Sequence, residues 1–261
     1  MLAPETLTAI ADELAQAERD HSVIPRITAR YPDATVEDSY AIQGVWRDQA
    51  LADGRRIAGR KIGLTSKAMQ AATGITEPDY GVMFEDTVFA SGSELRHADY
   101  SNVRIEVELA FVLARPLEGP GCTLEDVMAA TEYVVPALEV LNSHIELEGR
   151  TIVDTISDNA AYGAMVLGDT RVTPGDVDLR WVAALLSRNG EIEETGVAAG
   201  VLGHPAIGVA WLADKLAQHG DSLAAGEIIL AGSFTRPMWV HPGDDVVADY
   251  GDLGVVECRF V

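Results

Sequence analysis

The chain has 261 residues, of which 48% are hydrophobic and 23% charged, a composition typical of a globular protein with one large domain. Acidic residues outnumber basic ones by 41 to 19, and the net charge of −22 argues against nucleic-acid and anionic-membrane partners. No apolar stretch is long enough for a membrane span, and the acidic N-terminus lacks the pattern of a secretion signal. We therefore expect a cytoplasmic protein, in which Cys122 and Cys258 are reduced thiols.

The first 55 residues are predicted to form a helical arm. A second helix, over about residues 36–53, follows a capping box at Thr35–Asp38 and ends near Gly54. We expect residues 56–261 to form the β-rich part of the same single catalytic domain. The first helix is predicted over about residues 4–20 from apolar residues at helical spacing: Leu7, Ile10, Ala11 and Leu14.

A basic segment follows the arm and contains the first candidate catalytic residue. Lys61 lies among glycines and apolar residues, which fits a catalytic ammonium, a carboxylate anchor or an ordinary surface lysine beside a turn. A short helix is predicted over residues 65–73, with Gly74 as the hinge of a lid. Asp79 is expected in a loop, where it would be either an acid–base group or a turn former after Pro78.

Short strands and helices alternate through the remaining sequence. This pattern, with glycine and proline at the turns, predicts an α+β fold with a largely β core. No glycine-rich phosphate loop follows a strand, so we expect no dinucleotide cofactor. The predicted helices begin at Thr123 and span 204–218, and the predicted strands span 105–113, 134–141 with an interruption at Pro136, 164–168, 227–233, 245–250 and 255–261.

Two carboxylates share one face of the strand predicted over residues 105–113. Glu106 and Glu108 are two residues apart, and alternate residues of a strand point to the same side. Like charges at this spacing repel each other, and a divalent cation such as Mg²⁺ or Mn²⁺ would offset that repulsion. The alternative interpretation is a solvent-facing polar side of a half-buried strand.

Glu139 is a third candidate ligand, because it interrupts an otherwise apolar strand. Carboxylates are rarely buried unless they are paired or bound to a metal. Glu139 could therefore complete a site of three carboxylates, or it could lie at a strand end that reaches solvent.

Several motifs resemble the hydratase and decarboxylase branch of the fumarylacetoacetate hydrolase superfamily. The resemblance covers nearly the whole chain, and it implies a mixed β-roll with flanking helices and a homo-oligomeric assembly. It also implies Mg²⁺ or Mn²⁺ bound by Glu106, Glu108 and Glu139, with Lys61 and Asp79 as the acid–base residues. The matching segments are Lys61–Met69, Glu77–Gly81, Arg104–Ala110, Val135–Glu139, Asp154–Ala160 and Gly203–Pro205.

The resemblance also implies a reaction in the catabolism of aromatic compounds such as homoprotocatechuate. The expected activity is hydration of 2-oxo-hept-4-ene-1,7-dioate, or its 2-hydroxydienoate tautomer, to 4-hydroxy-2-oxo-heptanedioate. A dicarboxylate needs a second anion site, and Arg236, with Ser233 and Thr235 beside it, is the candidate. Arg236 could also be a surface residue at a strand end.

Three other functions remain open at this point. The motifs overlap with those of 4-oxalocrotonate decarboxylases and of hydratases that act on 2-hydroxypenta-2,4-dienoate. A non-catalytic metal- or ligand-binding protein is the third alternative, although such a protein would not need Lys61 and Asp79.

Overall fold

The computed structural model describes residues 1–67, 70 and 77–261 of the chain. The predicted helix at residues 65–73 lies partly, and the proposed hinge at Gly74 entirely, outside these residues. Both cysteines are free thiols. In the part of the chain that the structure describes, no helix has the length and apolarity needed to cross a membrane.

Two mixed sheets with flanking helices form the molecule, which confirms the predicted α+β class. The described helices are α1 (Pro4–Asp20), α2 (Ile27–Arg30), α3 (Val36–Ala52), α4 (Leu124–Ala130), α5 (Ile152–Ser157) and α6 (Pro205–Ala217). The described strands are β1 (Ile57–Gly63), β2 (Asp79–Phe84), β3 (Val88–Ala90), β4 (Ser93–Leu95), β5 (Arg104–Leu113), β6 (Thr131–Leu141), β7 (Tyr162–Leu167), β8 (Ala183–Arg188), β9 (Glu191–Val197), β10 (Ile228–Leu230), β11 (Met238–Trp239), β12 (Asp245–Asp249) and β13 (Val255–Phe260).

The larger sheet has the order β2-β1-β10-β5-β6-β7-β3, and β11 adds to the end of β5. Its two longest strands, β5 and β6, are antiparallel and buried along most of their length, so the core is centred on this pair. The smaller sheet has the order β4-β13-β12-β8-β9. Its inward-facing side chains join those of β5 and β6 in the main hydrophobic core.

The helical arm packs against strand β2. Ile10 of α1 and Ile42 of α3 lie in one buried cluster with Val82 and Phe84 of β2. Burial of such side chains stabilises the fold by about 1.5–3 kcal/mol each, so the arm supports the strand that begins at Asp79. The last helix of the arm, α3, ends at Ala52, and the first strand begins at Ile57. The division of the domain into an arm and a β-rich part at residue 55 remains a prediction.

Two local predictions were wrong. Asp79 is the first residue of β2 rather than part of a loop, because residues 79–84 pair with β1 along its whole length. Pro136 does not interrupt β6. The Pro136 carbonyl accepts a hydrogen bond from Gly168 N, just beyond the end of β7. The nitrogen of a strand residue points to the same side as its carbonyl, so the N–H that proline lacks would also have faced the end of β7. Proline therefore costs β6 at most one backbone hydrogen bond to β7.

Candidate metal and acid–base site

Strand register brings the three predicted carboxylates together. Glu106 lies directly opposite Glu139 in the β5–β6 ladder, and Glu108 lies opposite Ala137. One oxygen of each of the three glutamates lies within 4.8 Å of the others. Glu108 and Glu139 are fully buried and Glu106 is partly exposed, so the cluster opens to solvent at the Glu106 end.

The hydrogen bonding of these glutamates fits a divalent cation. Glu108 Oε1 and Glu139 Oε2 are buried and have no hydrogen-bond partner among the described residues. An unpaired buried carboxylate oxygen is costly, and a cluster of such oxygens is the donor set that Mg²⁺, Mn²⁺ and Ca²⁺ prefer. The three side chains could therefore hold one hard divalent cation.

The other oxygen of Glu108 is fixed by the backbone. Gly232 N donates to Glu108 Oε2 at 2.8 Å, and the Tyr250 hydroxyl donates to the backbone carbonyls of Glu108 and Ala137. Gly232 has φ of +115°, and a β-carbon there would lie 2.2 Å from Thr65 Oγ1. Only glycine fits this position, so the backbone N–H can reach the carboxylate.

Lys61 is buried on β1 beside the carboxylates, and it is not a surface residue. Its Nζ lies 3.0 Å from Glu139 Oε1 and donates to the Ala160 carbonyl at 3.0 Å. Burial opposes protonation of Lys61, but the charges of Glu139 and Asp79 outweigh it and raise the lysine pKa. The neighbouring carboxylates therefore favour the ammonium form of Lys61.

A left-handed loop presents the Ala160 carbonyl to this ammonium. Asn159, Ala160 and Ala161 have successive φ values of 47°, 53° and 58°. The Asn159 side chain holds the loop on β2, because Oδ1 accepts from Val82 N at 2.7 Å and Nδ2 donates to Val82 O at 2.8 Å. Non-glycine residues in this conformation cost about 1–2 kcal/mol each, so the loop stores strain beside the site.

Asp79 lies across the β1–β2 ladder from Gly63 and is fully buried. A β-carbon on Gly63 would lie 2.1 Å from Asp79 Oδ1 and 3.4 Å from Lys61 Nζ. Both groups therefore approach the same point above a glycine that leaves room for them. Neither oxygen of Asp79 has a hydrogen-bond partner in the described parts of the chain, so the carboxyl group is free to meet a ligand.

Burial changes the protonation of the carboxyl groups. It is the largest cause of a raised pKa at Asp79, against the opposing charge of Lys61. Burial and then the charge of Glu139 raise the pKa of Glu106 to about 7. Burial and the charges of Glu139 and Glu106 raise the pKa of Glu108 well above its usual range. The metal-free cluster therefore retains protons near neutral pH, which a bound cation would displace.

A cavity of about 70 Å³ beside Glu106 is lined by Ser233 and Thr235, two of the predicted substrate-binding residues. Both also line an outer groove of about 670 Å³, and Arg236 lies in that groove. Arg236 is 77% exposed and forms a two-point ion pair with Glu194, with distances of 3.1 Å from Nε and 2.9 Å from Nη2. Its predicted role as the distal carboxylate anchor remains a prediction.

His204 and Asp158, which lie outside the carboxylate cluster, form hydrogen bonds that fix the chain nearby. The His204 ring caps α6 by accepting a hydrogen bond from Ala206 N. Asp158 binds the His144 backbone and ring, at 2.8 and 2.9 Å, which fixes the start of the left-handed loop.

Sequence reasoning missed the contributions of Gly63, Gly232 and the Ala160 carbonyl. Glycine within a predicted strand is a signal of close backbone approach, and Gly232, inside the strand predicted over residues 227–233, carries that signal. Nothing in the sequence identifies an alanine in a left-handed conformation, so the Ala160 carbonyl could not be found this way.

Comparisons with known proteins identify the family of the chain. Residues 55–261 match the family model described as fumarylacetoacetate (FAA) hydrolase C-terminal. A 2-oxo-hept-4-ene-1,7-dioate hydratase from Escherichia coli is 53% identical, with 100% of both chains covered. A 2-keto-4-pentenoate hydratase from Paraburkholderia xenovorans (strain LB400) is 38% identical over 99% of this chain and 96% of the relative. The solved structure of 4-oxalocrotonate decarboxylase from Pseudomonas putida G7, complexed with magnesium and adipate, superposes with a TM-score of 0.97 at 36% identity, covering 100% and 99% of the two chains.

Proposed function

The chain belongs to the fumarylacetoacetate hydrolase family, and from this membership we propose that it is a hydro-lyase acting on 2-oxo-hept-4-ene-1,7-dioate. Water would add to the substrate or its 2-hydroxydienoate tautomer, with hydroxyl at C4 and a proton at C5, to give 4-hydroxy-2-oxo-heptanedioate. The identity of 53% over both complete chains to a hydratase of that substrate favours this reaction over the alternatives.

One observation favours an enzyme over a protein that only binds a metal or ligand. One buried oxygen of Glu108 and one of Glu139 have no partner among the described residues, and an acid–base pair, Lys61 and Asp79, converges on one point beside them. A cation-binding protein would need the glutamates alone. We therefore propose that Glu106, Glu108 and Glu139 hold Mg²⁺ or Mn²⁺, which when bound supplies a Lewis-acid charge for the C2 oxygen of a 2-oxo acid.

The remaining chemistry falls to the side chains of the chain itself. Burial raises the pKa of Asp79 and so favours its protonated form, which could transfer a proton to the substrate chain. Lys61, held by Glu139 and the Ala160 carbonyl, places a positive charge where oxyanion character develops. Ser233 and Thr235 line the cavity next to Glu106 and offer hydroxyl groups to the bound acid.

Several features of the proposal reach beyond the reaction itself. We propose that the helical arm and the β-rich part act as one catalytic domain, and that the protein is a homo-oligomer in the cytoplasm. The net charge of −22 makes nucleic acid an unfavourable partner. Because the same charge also opposes anionic substrates at long range, local cations must attract the dicarboxylate.

Decarboxylation is the second candidate reaction. The 4-oxalocrotonate decarboxylase from Pseudomonas putida G7 has nearly the same fold, with a TM-score of 0.97. Both reactions can begin from a 2-oxo acid whose C2 oxygen is stabilised as an oxyanion, so the described side chains do not separate them. The lower identity of 36% places this function second.

The deciding experiment is a product analysis. Purified protein with Mg²⁺ would receive the seven-carbon dienol, and substrate loss and product mass would be followed with and without a chelator. We expect a gain of one water that depends on the metal. Release of carbon dioxide from 4-oxalocrotonate, without water gain on the seven-carbon compound, would instead assign decarboxylation. Inertness toward both would contradict an enzyme of either kind.

A further inference from the structure

Arg104 continues the row of side chains formed by the metal-site glutamates. It lies on the same face of β5 as Glu106 and Glu108, since alternate residues of a strand point to one side. Glu108 is fully buried, whereas Glu106 and Arg104 are partly exposed. The row therefore runs from the floor of the site toward its opening. A ligand held at the glutamates and directed outward would pass Arg104.

The guanidinium of Arg104 has a hydrogen-bond donor without a partner among the described residues. Its Nη2 atom is buried and has no hydrogen-bond partner among residues 1–67, 70 and 77–261. Its Nε donates only to the Asn102 carbonyl, at 3.4 Å, and the group lies 5.4 Å from the centroid of the Trp239 ring. A buried donor without a partner is unfavourable, so an anion that accepts a hydrogen bond from Nη2 would be stabilised there.

A second arginine lies nearby. Arg150 donates to Ser143 Oγ at 3.1 Å, and Asn102, which accepts from Arg104, donates to the Ser143 carbonyl at 3.4 Å. Asn102 and Ser143 therefore link the two arginine side chains through hydrogen bonds. Among the described residues, neither guanidinium has a carboxylate within ion-pair distance of 4.0 Å. Two such cations without an acidic partner favour binding of an anion.

We propose that Arg104 and Arg150 form an anion subsite that binds the distal carboxylate of a small dicarboxylate, whose other end lies at the three glutamates. This inference rests on the proposed function for its substrate class. Arg236 is a weaker anchor, because Glu194 already occupies the Nε and Nη2 edge of its guanidinium and most of the side chain is exposed. Arg104 offers a buried, unoccupied donor on the metal-site face.

Calorimetric binding of two saturated acids of equal length tests the subsite. Adipate has a carboxylate at each end, and hexanoate has only one. Both acids can place a carboxylate at the metal, but only adipate can place a second carboxylate at Arg104. We expect Mg²⁺-loaded protein to bind adipate more tightly than hexanoate. The R104Q variant should lose about tenfold in adipate affinity, with hexanoate changed by less than about twofold.

Three further variants make the result specific. R104K keeps the charge without the planar fork and should lose affinity for adipate to an intermediate extent. R150Q should also weaken adipate selectively, which tests the subsite if R104Q does not fold. Arg259, an exposed arginine on β13, provides the matched charge control, and R259Q should bind both acids like the parent protein.

The outcomes separate this subsite from the proposed reaction. Equal losses for adipate and hexanoate in R104Q, or a loss in R236Q as large as that in R104Q, would overturn the subsite. Wild-type protein that binds the two acids equally would also overturn it. Selective adipate binding by a protein that does not hydrate the seven-carbon dienol would support the subsite while refuting the hydratase, because the binding measurement needs no turnover.

Discussion

Lys61 Nζ lies 3.0 Å from Glu139 Oε1, so a single glutamate contacts the buried ammonium while lying within the proposed metal cluster. The other oxygen of Glu139 is buried and unpaired among the described residues. The charge of Glu139 therefore stabilises the lysine in the metal-free protein, and a cation would share the same carboxylate. Metal binding and the position of the ammonium are coupled through this one side chain.

Replacing Lys61 with methionine should expose this coupling. The K61M variant keeps the length of the side chain but leaves Glu139 without its cation. In chelator, we expect a loss of about 3–5 kcal/mol in the free energy of unfolding, because a buried carboxylate remains uncompensated. Mg²⁺ should restore part of this stability. The turnover of K61M should nevertheless remain at least about 100-fold lower than that of the parent protein. Denaturant unfolding with and without Mg²⁺ measures the first effect, and equal stability of the two proteins in chelator would contradict it.

Glu106 should make the metal-free protein less stable as the pH rises. Its folded pKa of about 7 lies above its ordinary value of 4.5, so between these values the folded state binds more protons than the unfolded state. The stability contributed by protonated Glu106 is present below pH 4.5 and is lost as the pH rises through 7. The full shift sets an upper limit of about 3 kcal/mol on this loss.

The E106Q variant provides the measurement. Glutamine has no charge to bury, so in chelator E106Q should melt at a higher temperature than the parent protein at pH 8, with a smaller difference at pH 5. Added Mg²⁺ should stabilise the parent protein and have little effect on E106Q, since one ligand is lost. A parent protein that is the more stable of the two at pH 8 in chelator would refute the assignment of Glu106 to a buried acidic cluster.

Local sequence patterns were sufficient to predict the features that depend only on neighbouring residues in the chain. The alternation of side chains along a strand places Glu106 and Glu108 on one face, and a capping box marks the start of α3 at Thr35. The register of β5 against β6, which brings Glu139 opposite Glu106, depends on contacts between residues far apart in sequence. A single sequence does not contain that information, so sequence pattern left Glu139 with two alternatives and the family resemblance favoured the cluster.

The acid–base part of the site was harder to place from the sequence. The pairing of β1 with β2 brings Asp79 to Gly63, but Pro78 directly before Asp79 favoured a loop. The left-handed conformation of Ala160 is imposed by the contacts of Asn159 with Val82, not by its own residue type. Strain imposed by tertiary contacts has no signal in local propensity.

Gly63 should be required for the position of Asp79. A β-carbon at residue 63 would lie 2.1 Å from Asp79 Oδ1, so G63A must displace the carboxyl group from the site. We expect turnover to fall at least about 100-fold, as in D79N, while Mn²⁺ affinity measured by calorimetry changes little because the three glutamates lie on other strands. Full activity of G63A or of D79N would remove Asp79 from the mechanism.

Gly44 provides the matched control for this substitution. It lies within helix α3, and a β-carbon there would meet no atom within 4 Å. G44A should raise the free energy of unfolding by up to about 1 kcal/mol, because alanine favours the helix, and should leave turnover unchanged. The comparison separates the steric effect on Asp79 from any general effect of replacing glycine.

Asn159 should affect catalysis through the carbonyl that follows it. N159A removes two buried hydrogen bonds to Val82 and places alanine in a left-handed conformation, which together should cost about 2–4 kcal/mol of stability. Release of the loop would also move the Ala160 carbonyl away from Lys61 Nζ. We therefore expect kcat to fall while KM changes little, because the ammonium rather than the metal cluster loses its support.

Asn189 allows this effect to be separated from a general loss of stability. It is also left-handed, with φ of 54°, and its side chain binds Asp244 and the Asp245 backbone at 2.7 and 3.0 Å, outside the site. N189A also loses two hydrogen bonds, although at a more exposed position, so it should be destabilised less than N159A and should retain its kcat at temperatures where it is folded. If N159A and N189A lose kcat equally, the loop acts only through stability. If N159A alone loses kcat, the carbonyl contact positions Lys61 for the reaction.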